Sequence, residues 1–228
     1  MIRTLDNVDA LSGLPRRILS RIERSCLWST YPAESIVLSF QDPSNDVFFV
    51  VKGQVRAVIY SGTGSQVSFR DLGEGAMFGE LAALDGAPRS ACIETLETSL
   101  IARMPNDVFW ILLDKEPGFR RAVFQHLVKL VRALTDRIVE FSTMSVSSRF
   151  QAELLRLALE HPVNNGRVLI NKPPTHTDLA NRIATTREAV TREFGRLCRK
   201  GIIEKQGSGW LVHDVNQLYI MIRDAAGR

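Results

Sequence analysis

Between Tyr31 and Met104 the apolar positions fall in short runs of β-branched and aromatic residues, each closed by turn chemistry. The runs predict strands over Ser35 to Phe40, Val47 to Val51, Val55 to Tyr60, Gln66 to Leu72 and Ala91 to Arg103. They are separated by Asp42-Pro43, Lys52-Gly53, Gly62-Thr63-Gly64 and Gly73-Glu74-Gly75. Strands at this spacing imply a sandwich or roll. Ahead of them, Leu14, Ile18 and Ile22 keep a helical spacing within Leu11 to Cys26, which predicts a small helical cap. From Gly118 to Phe141 the pattern changes: Leu127, Val131, Leu134, Ile138 and Phe141 recur at alternating steps of four and three, the seam of a long helix. Such a helix is about 36 Å long and must cover its seam. The roll could do so, but the strict repeat favours a parallel helix from a second copy, and hence a homodimer.

After the seam, the small polar residues Ser142 to Ser148 predict a hinge, and Phe150, Leu154, Leu157 and Ala158 mark one face of a new helix from Ser148 to His161. Pro162 to Pro174 reads as a loop with a short strand, Arg167 to Ile170. Thr177 to Ile183 and the stretch from Thr186 to Lys200 then predict two helices joined by an Ala184-Thr185 turn, with Thr186 as N-cap of the second. A hairpin follows, Ile202 to Gln206 and Trp210 to Val212 around Gly207-Ser208-Gly209. The expected class is α+β: an N-terminal β-roll (1–117), a long dimerisation helix with hinge (118–144) and a C-terminal winged helix-turn-helix (145–228).

Composition narrows the function classes. Of 228 residues, 45% are apolar and 24% charged, an ordinary globular balance. No apolar run approaches the roughly 18 residues of a membrane span, and the charged first 25 residues do not read as a secretory leader. The three cysteines, Cys26, Cys92 and Cys198, are far apart and form no C-x2-C pair. That argues against disulfides, zinc and iron–sulfur clusters, and for a reducing cytoplasmic location. Charge is uneven: Met1 to Met144 carries 16 basic and 17 acidic residues, whereas Ser145 to Arg228 carries 13 basic and 8 acidic. The C-terminal third is therefore suited to a polyanion. The four histidines, His126, His161, His176 and His213, are scattered with no neighbouring nucleophile, so no enzyme is expected. His126 reads as a packed or solvated helix residue.

Within the helix-turn-helix, Arg187, Glu188 and Arg192 share a face at the start of the second helix, which in this motif enters the major groove. Arginine can grip guanine O6 and N7, and Glu can accept from cytosine N4. Followed by a wing, the pair of helices points to double-stranded DNA, with Thr175, His176 and Lys205 as phosphate contacts and Thr186 at the helix start.

The densest chemical signal is Phe78-Gly79-Glu80-Leu81-Ala82-Ala83-Leu84-Asp85-Gly86-Ala87-Pro88-Arg89-Ser90. Amides from Gly79 to Leu81 at a helix start can face an anion, and Gly permits close approach. Arg89 adds a charged fork and Ser90 a hydroxyl. Glu80 fits beside a phosphate only if it accepts from a neighbouring hydroxyl. A 3',5'-cyclic nucleotide, with one phosphate charge and a free ribose 2'-OH, offers both.

On these residues, with Tyr31-Pro32, Val50-Val51-Lys52-Gly53, Thr186-Arg187-Glu188 and Arg192, the chain from Tyr31 to Val212 resembles the superfamily named for the cyclic-AMP receptor protein and the fumarate and nitrate reduction regulator. The resemblance implies that Gly79, Glu80, Arg89 and Ser90 hold ribose and cyclic phosphate. It also implies that Arg187, Glu188 and Arg192 read a TGTGA-like half-site of a palindromic operator, and that RNA polymerase is a partner. Iron–sulfur members need an N-terminal cysteine cluster and haem members an axial ligand; here Cys26 stands alone and no His precedes His126. The expected ligand is cyclic AMP or cyclic GMP, with no metal, haem or cluster.

The chain departs from its relatives in three places. The adjacent Thr and Ser that grip adenine in the cyclic-AMP receptor become Leu134 and Thr135. Arg70 occupies a strand position lining the base pocket, and Ala184 stands where Gly is common. The first two imply loose base selection; the third implies an αL alanine costing about 1 kcal/mol. The main alternative is the same fold regulating without a nucleotide. Regulatory subunits of nucleotide-dependent kinases or channels fit less well, since one cassette is followed by a wing.

Overall fold

The computed structural model describes residues 3–60 and 66–225. By contacts the chain divides into two compact units, residues 1–131 and 132–228. The domain limits expected from sequence, 117 and 144, bracket that point. The predicted Gly62-Thr63-Gly64 turn lies outside the described residues.

In the first unit a 3-10 turn (Asp9–Leu11) and α1 (Arg16–Ser25) precede the strands β1 (Leu27–Tyr31), β2 (Ile36–Leu38), β3 (Val47–Lys52), β4 (Val55–Tyr60), β5 (Gln66–Leu72) and β6 (Met77–Phe78). Then come α2 (Glu80–Asp85), β7 (Cys92–Thr95), β8 (Ser99–Met104), α3 (Asn106–Lys115) and the start of α4 (Pro117–Thr143). The strands form two antiparallel four-stranded sheets, ordered β1-β8-β3-β6 and β2-β7-β4-β5.

The period-2 geometry of β3 explains why its run of Val and Phe is unbroken rather than alternating. Phe48 and Val50 face the other sheet, where Leu38, Val55, Leu72 and Ile93 close one core. Val47, Phe49 and Val51 face the helices, where Leu19, Ile22, Phe109, Leu112, Phe119 and Val123 close another. β3 is thus buried on both faces.

One strand expected from Ala91 to Arg103 is two, β7 and β8, which belong to different sheets. Nothing in Leu96-Glu97-Thr98 breaks a strand by composition. Hydroxyls make the corner instead: Thr95 Oγ1 donates to Pro32 O (2.6 Å), and Ser99 Oγ donates to Glu97 O (2.8 Å). Gly53, with φ +91°, is needed beside it, since a Cβ there would lie 2.4 Å from Ser99 Oγ.

Helix α4 is 27 residues long and carries the predicted seam. Leu127 packs against the helix-facing core, whereas Val131, Leu134, Ile138 and Phe141 are exposed, by 62, 42, 66 and 38%. Phe124 and Val128 are exposed alongside.

The second unit continues from the last turns of α4 through α5 (Val146–Leu159), β9 (Val168–Ile170), α6 (His176–Arg182), α7 (Arg187–Arg199), β10 (Ile203–Gln206), β11 (Gly209–Val212) and α8 (Val215–Ala225). Ser145 caps α5 by accepting from Ser148 N. Phe150, Leu154, Leu179, Ile183, Val190, Phe194, Leu197, Trp210 and Leu218 form one core under the three-stranded sheet β10-β11-β9. The last helical turns of α4 join this unit through charged side chains, and Arg149 lies 5.4 Å over the Phe141 ring. Arg137 donates to Glu153 (2.9 Å), and Arg156 bridges Glu140 and Glu153. Among the described residues no helix is long and apolar enough to cross a membrane.

Candidate functional site

β6 ends on Gly79, whose φ of +80° and ψ of 4° turn the chain into α2, and Gly86 (φ +69°) closes that helix. Gly79 is required for space as well as conformation. A Cβ there would lie 2.8 Å from Arg89 Nη1 and 3.1 Å from Asp46 O.

Arg89 is 2% exposed and folded inward. Its Nη1 donates to Gly79 O (2.8 Å), Nη2 to Asp46 O (2.8 Å) and Nε to Ser44 Oγ (3.1 Å), and the guanidinium lies 5.5 Å over the Phe48 ring. Burial pushes its pKa down, while Asp42 and Asp46 pull it up. Three of the five N–H donors of an arginine are thereby spent on the cassette's own frame. The cation expected as a phosphate fork is also the post on which the Gly79 turn hangs.

Glu80 opens α2 and is 5% exposed. Its Oε1 lies 3.1 Å from Nε2 of His126 on α4. Sequence reasoning gave His126 no role, because the contact joins positions 46 apart and leaves no mark in any local pattern. Leu81, next to Glu80 on α2, and Ser90, next to Arg89, are both exposed. Arg70 is exposed on β5, opposite Ala57. The structure therefore gathers Gly79, Glu80 and Arg89, with Ser90 following Arg89 in the chain. Leu134 and Thr135 fall on the part of α4 that belongs to the second unit, and both are exposed.

In the second unit the turn between α6 and α7 is made by Ala184 at φ +49°. Thr175 caps α6 in a reciprocal box with Asp178, and Thr186 caps α7 by accepting from Ala189 N (3.3 Å). Both hydroxyls are thus engaged in starting helices. His176 is packed: its Nδ1 lies 2.9 Å from Thr191 Oγ1, and its ring sits 5.2 Å from Phe194 and 6.0 Å from Trp210. Burial, then Lys205 and Arg187, hold its pKa below the usual imidazole value. Lys205 on the wing is exposed and places Nζ 5.7 Å over the Phe194 ring. Arg187, Glu188 and Arg192 are exposed in the first turns of α7. The Glu188 carboxyl is held below the usual range by its own backbone N–H and the Thr186 hydroxyl, with Arg187 and Arg192 adding to the effect. The first turns of α7 thus present two cations and an ionised acceptor to solvent.

Residues 28–116 match the family model described as a cyclic nucleotide-binding domain, and residues 148–220 match a Crp-like helix-turn-helix domain. A CRP-like cAMP-activated global transcriptional regulator of Mycobacterium tuberculosis is 21% identical over 82% of this chain and 84% of its own length. The cAMP-activated global transcriptional regulator CRP of Haemophilus influenzae is 22% identical with the same coverage. Among solved structures, a mutant CooA from Carboxydothermus hydrogenoformans superposes with a TM-score of 0.79 at 17% identity, covering 94% of each chain.

Proposed function

The chain belongs to the superfamily of the cyclic-AMP receptor protein and the fumarate and nitrate reduction regulator, as a Crp-like transcriptional regulator and not an enzyme, and on that premise we propose that it is a cyclic-nucleotide-dependent homodimer. The observation that carries this reading is the Gly79–Glu80–Arg89 cluster, where a buried guanidinium and a buried carboxylate meet at one αL glycine.

The roles divide by chemistry. Arg89 has two N–H donors beyond those spent on Gly79, Asp46 and Ser44, and its desolvated charge favours an anion. Ser90 adds a hydroxyl and the amide of Leu81 a donor, while Glu80 accepts from a ribose hydroxyl. By the family resemblance, Thr135 is the residue to bond a purine edge, Leu134 can only pack on it, and Arg70 holds a base-pocket strand position. Cyclic AMP is the favoured ligand, in keeping with the relatives named as cAMP-activated.

The exposed Val131, Leu134, Ile138 and Phe141 pair with the same residues of a second copy, continuing from Leu127. Full burial of such side chains contributes about 1.5 to 3 kcal/mol each. Two copies present two α7 helices to an inverted, TGTGA-like repeat through Arg187, Glu188 and Arg192, with Thr175, His176, Thr186 and Lys205 toward the backbone. RNA polymerase is the expected protein partner, and the setting is cytoplasmic.

A second reading, regulation without a nucleotide, is favoured by one observation: Arg89 and Glu80 each already have protein partners. Titration calorimetry with cyclic AMP and cyclic GMP, followed by DNA binding with each, separates the two. Heat with either nucleotide supports the first reading; DNA binding with no heat from either supports the second.

A further inference from the structure

We infer that His126 is a positioning residue for ligand selection, holding the Glu80 carboxylate so that it can tell a ribose from a 2'-deoxyribose; this rests on the cyclic-nucleotide reading above. A carboxylate that is 5% exposed needs a donor, because desolvating an unpaired charge costs several kcal/mol. Among the described residues, the group bonded to this carboxylate is Nε2 of His126, an N–H donating to Oε1 over 3.1 Å. Oε2 of the same carboxylate can accept from a hydroxyl.

The pair is set by packing on both sides. Phe119 and Val123, seven and three residues before His126 and on the same face of α4, are 1% and 0% exposed in the helix-facing core. Ala83 of α2 is buried in that same core. Both elements are therefore anchored to one body of side chains, and the imidazole reaches Glu80 from a fixed post. At the other end of the short turn, Arg89 grips Gly79 O. The carboxylate is thus located by one basic residue through the backbone and by another through the side chain. A rotamer held in this way loses little freedom when a 2'-hydroxyl arrives, and that bond is what a 2'-deoxy ligand cannot make.

The test is calorimetric titration of the full-length protein with cyclic AMP and with 2'-deoxy cyclic AMP, for the wild-type chain, His126→Leu and His126→Gln, with thermal melting of each variant in parallel. The wild-type chain should prefer the ribo ligand. His126→Leu should lower that preference about tenfold, and His126→Gln, which keeps an N–H donor, should retain most of it. A role in folding alone would weaken both ligands equally and leave the ratio unmoved, so binding with an unchanged ratio in a folded His126→Leu protein overturns the inference while sparing the nucleotide reading. Wild-type protein that binds both ligands equally also overturns it. Wild-type protein that binds neither refutes the nucleotide reading itself, and the inference with it.

Discussion

Nη1 of Arg182 donates to Oε1 of Glu153 over 3.0 Å, tying α6, the first helix of the DNA-reading pair, to α5. The same carboxylate accepts from Arg137 at 2.9 Å and from Arg156, so three guanidinium groups converge on a side chain that is 3% exposed. Removing the anion leaves Glu140 alone to pair Arg137 and Arg156, and takes the Glu153 carboxylate away from the well-buried Arg182. Glu153→Ala should therefore lower the stability of the second unit by about 3 kcal/mol, as for other broken buried pairs, measured by urea denaturation. Burial by itself would raise the Glu153 pKa, but Arg137, Arg156 and Arg182 outweigh it and hold the carboxyl below its usual range. A carboxyl whose folded pKa is depressed contributes stability that is present above its unfolded pKa and lost as the pH falls through the folded value. The gap between wild type and Glu153→Gln should accordingly be full at neutral pH and narrow in acid. A gap that does not change with pH would remove the ionised cluster as its cause.

Arg89→Ala removes two functions together. The half-buried carbonyls of Gly79 and Asp46 lose their donor, at up to about 1 to 3 kcal/mol for each unsatisfied group. The melting temperature should fall, and nucleotide affinity should drop by one to two decades or more. Arg89→Lys keeps the charge but cannot span Ser44, Gly79 and Asp46 at once, so it should recover little of either. Calorimetry giving wild-type affinity for Arg89→Ala would remove Arg89 from the cradle.

Base selection should be shallow. Leu134 has no hydrogen-bonding group, and Thr135 supplies the one remaining hydroxyl of the family pair. Cyclic AMP should be preferred over cyclic GMP by less than about 1.4 kcal/mol, a tenfold ratio. Competition binding that shows several decades of preference for either nucleotide would contradict this.

Sequence reading and charge contribute differently on α7 and the wing. If Arg187 and Arg192 grip guanines, half-sites should lie about one helical turn, near 10 bp, apart. Arg192→Ala should cost roughly 1 to 3 kcal/mol on the cognate site and relax one base pair per half-site. Lys205→Ala should weaken all sequences alike and flatten the salt dependence. If Arg192→Ala weakens cognate and random DNA equally, the start of α7 is a basic face and no more.

These residues also mark what could be read in advance. The turns at Gly53 and Gly79, the αL Ala184 and the Thr186 cap announce themselves locally, because each depends on a residue type at a single place, whereas Val47–Val51 reads only as a strand and its burial on both faces comes from the fold. β1, α3 and α8 were not foreseen. Leu27–Tyr31 has no alternation, Asn106–Lys115 follows β8 with only Pro105 between, and Val215–Ala225 follows β11 after only two residues. The Glu80–His126 and Glu153–Arg182 pairs join positions 46 and 29 apart, and charge pairing at that separation has no period to detect. Arg89 was legible as a cation of the cassette, but its inward bonds to Ser44 and Asp46 were not, because they come from a loop before β3.

The most direct measurement is the affinity of the full-length protein for an inverted-repeat operator, by fluorescence anisotropy at fixed salt, with and without saturating cyclic AMP. Coupling between two sites is a reciprocal free energy, typically about 1 to 3 kcal/mol. Operator binding should tighten at least about fivefold when the nucleotide is present, and nucleotide affinity should rise by the same factor when operator is present. Equal operator affinity in both conditions, from protein that calorimetry shows to be nucleotide-saturated, would contradict nucleotide control of DNA binding.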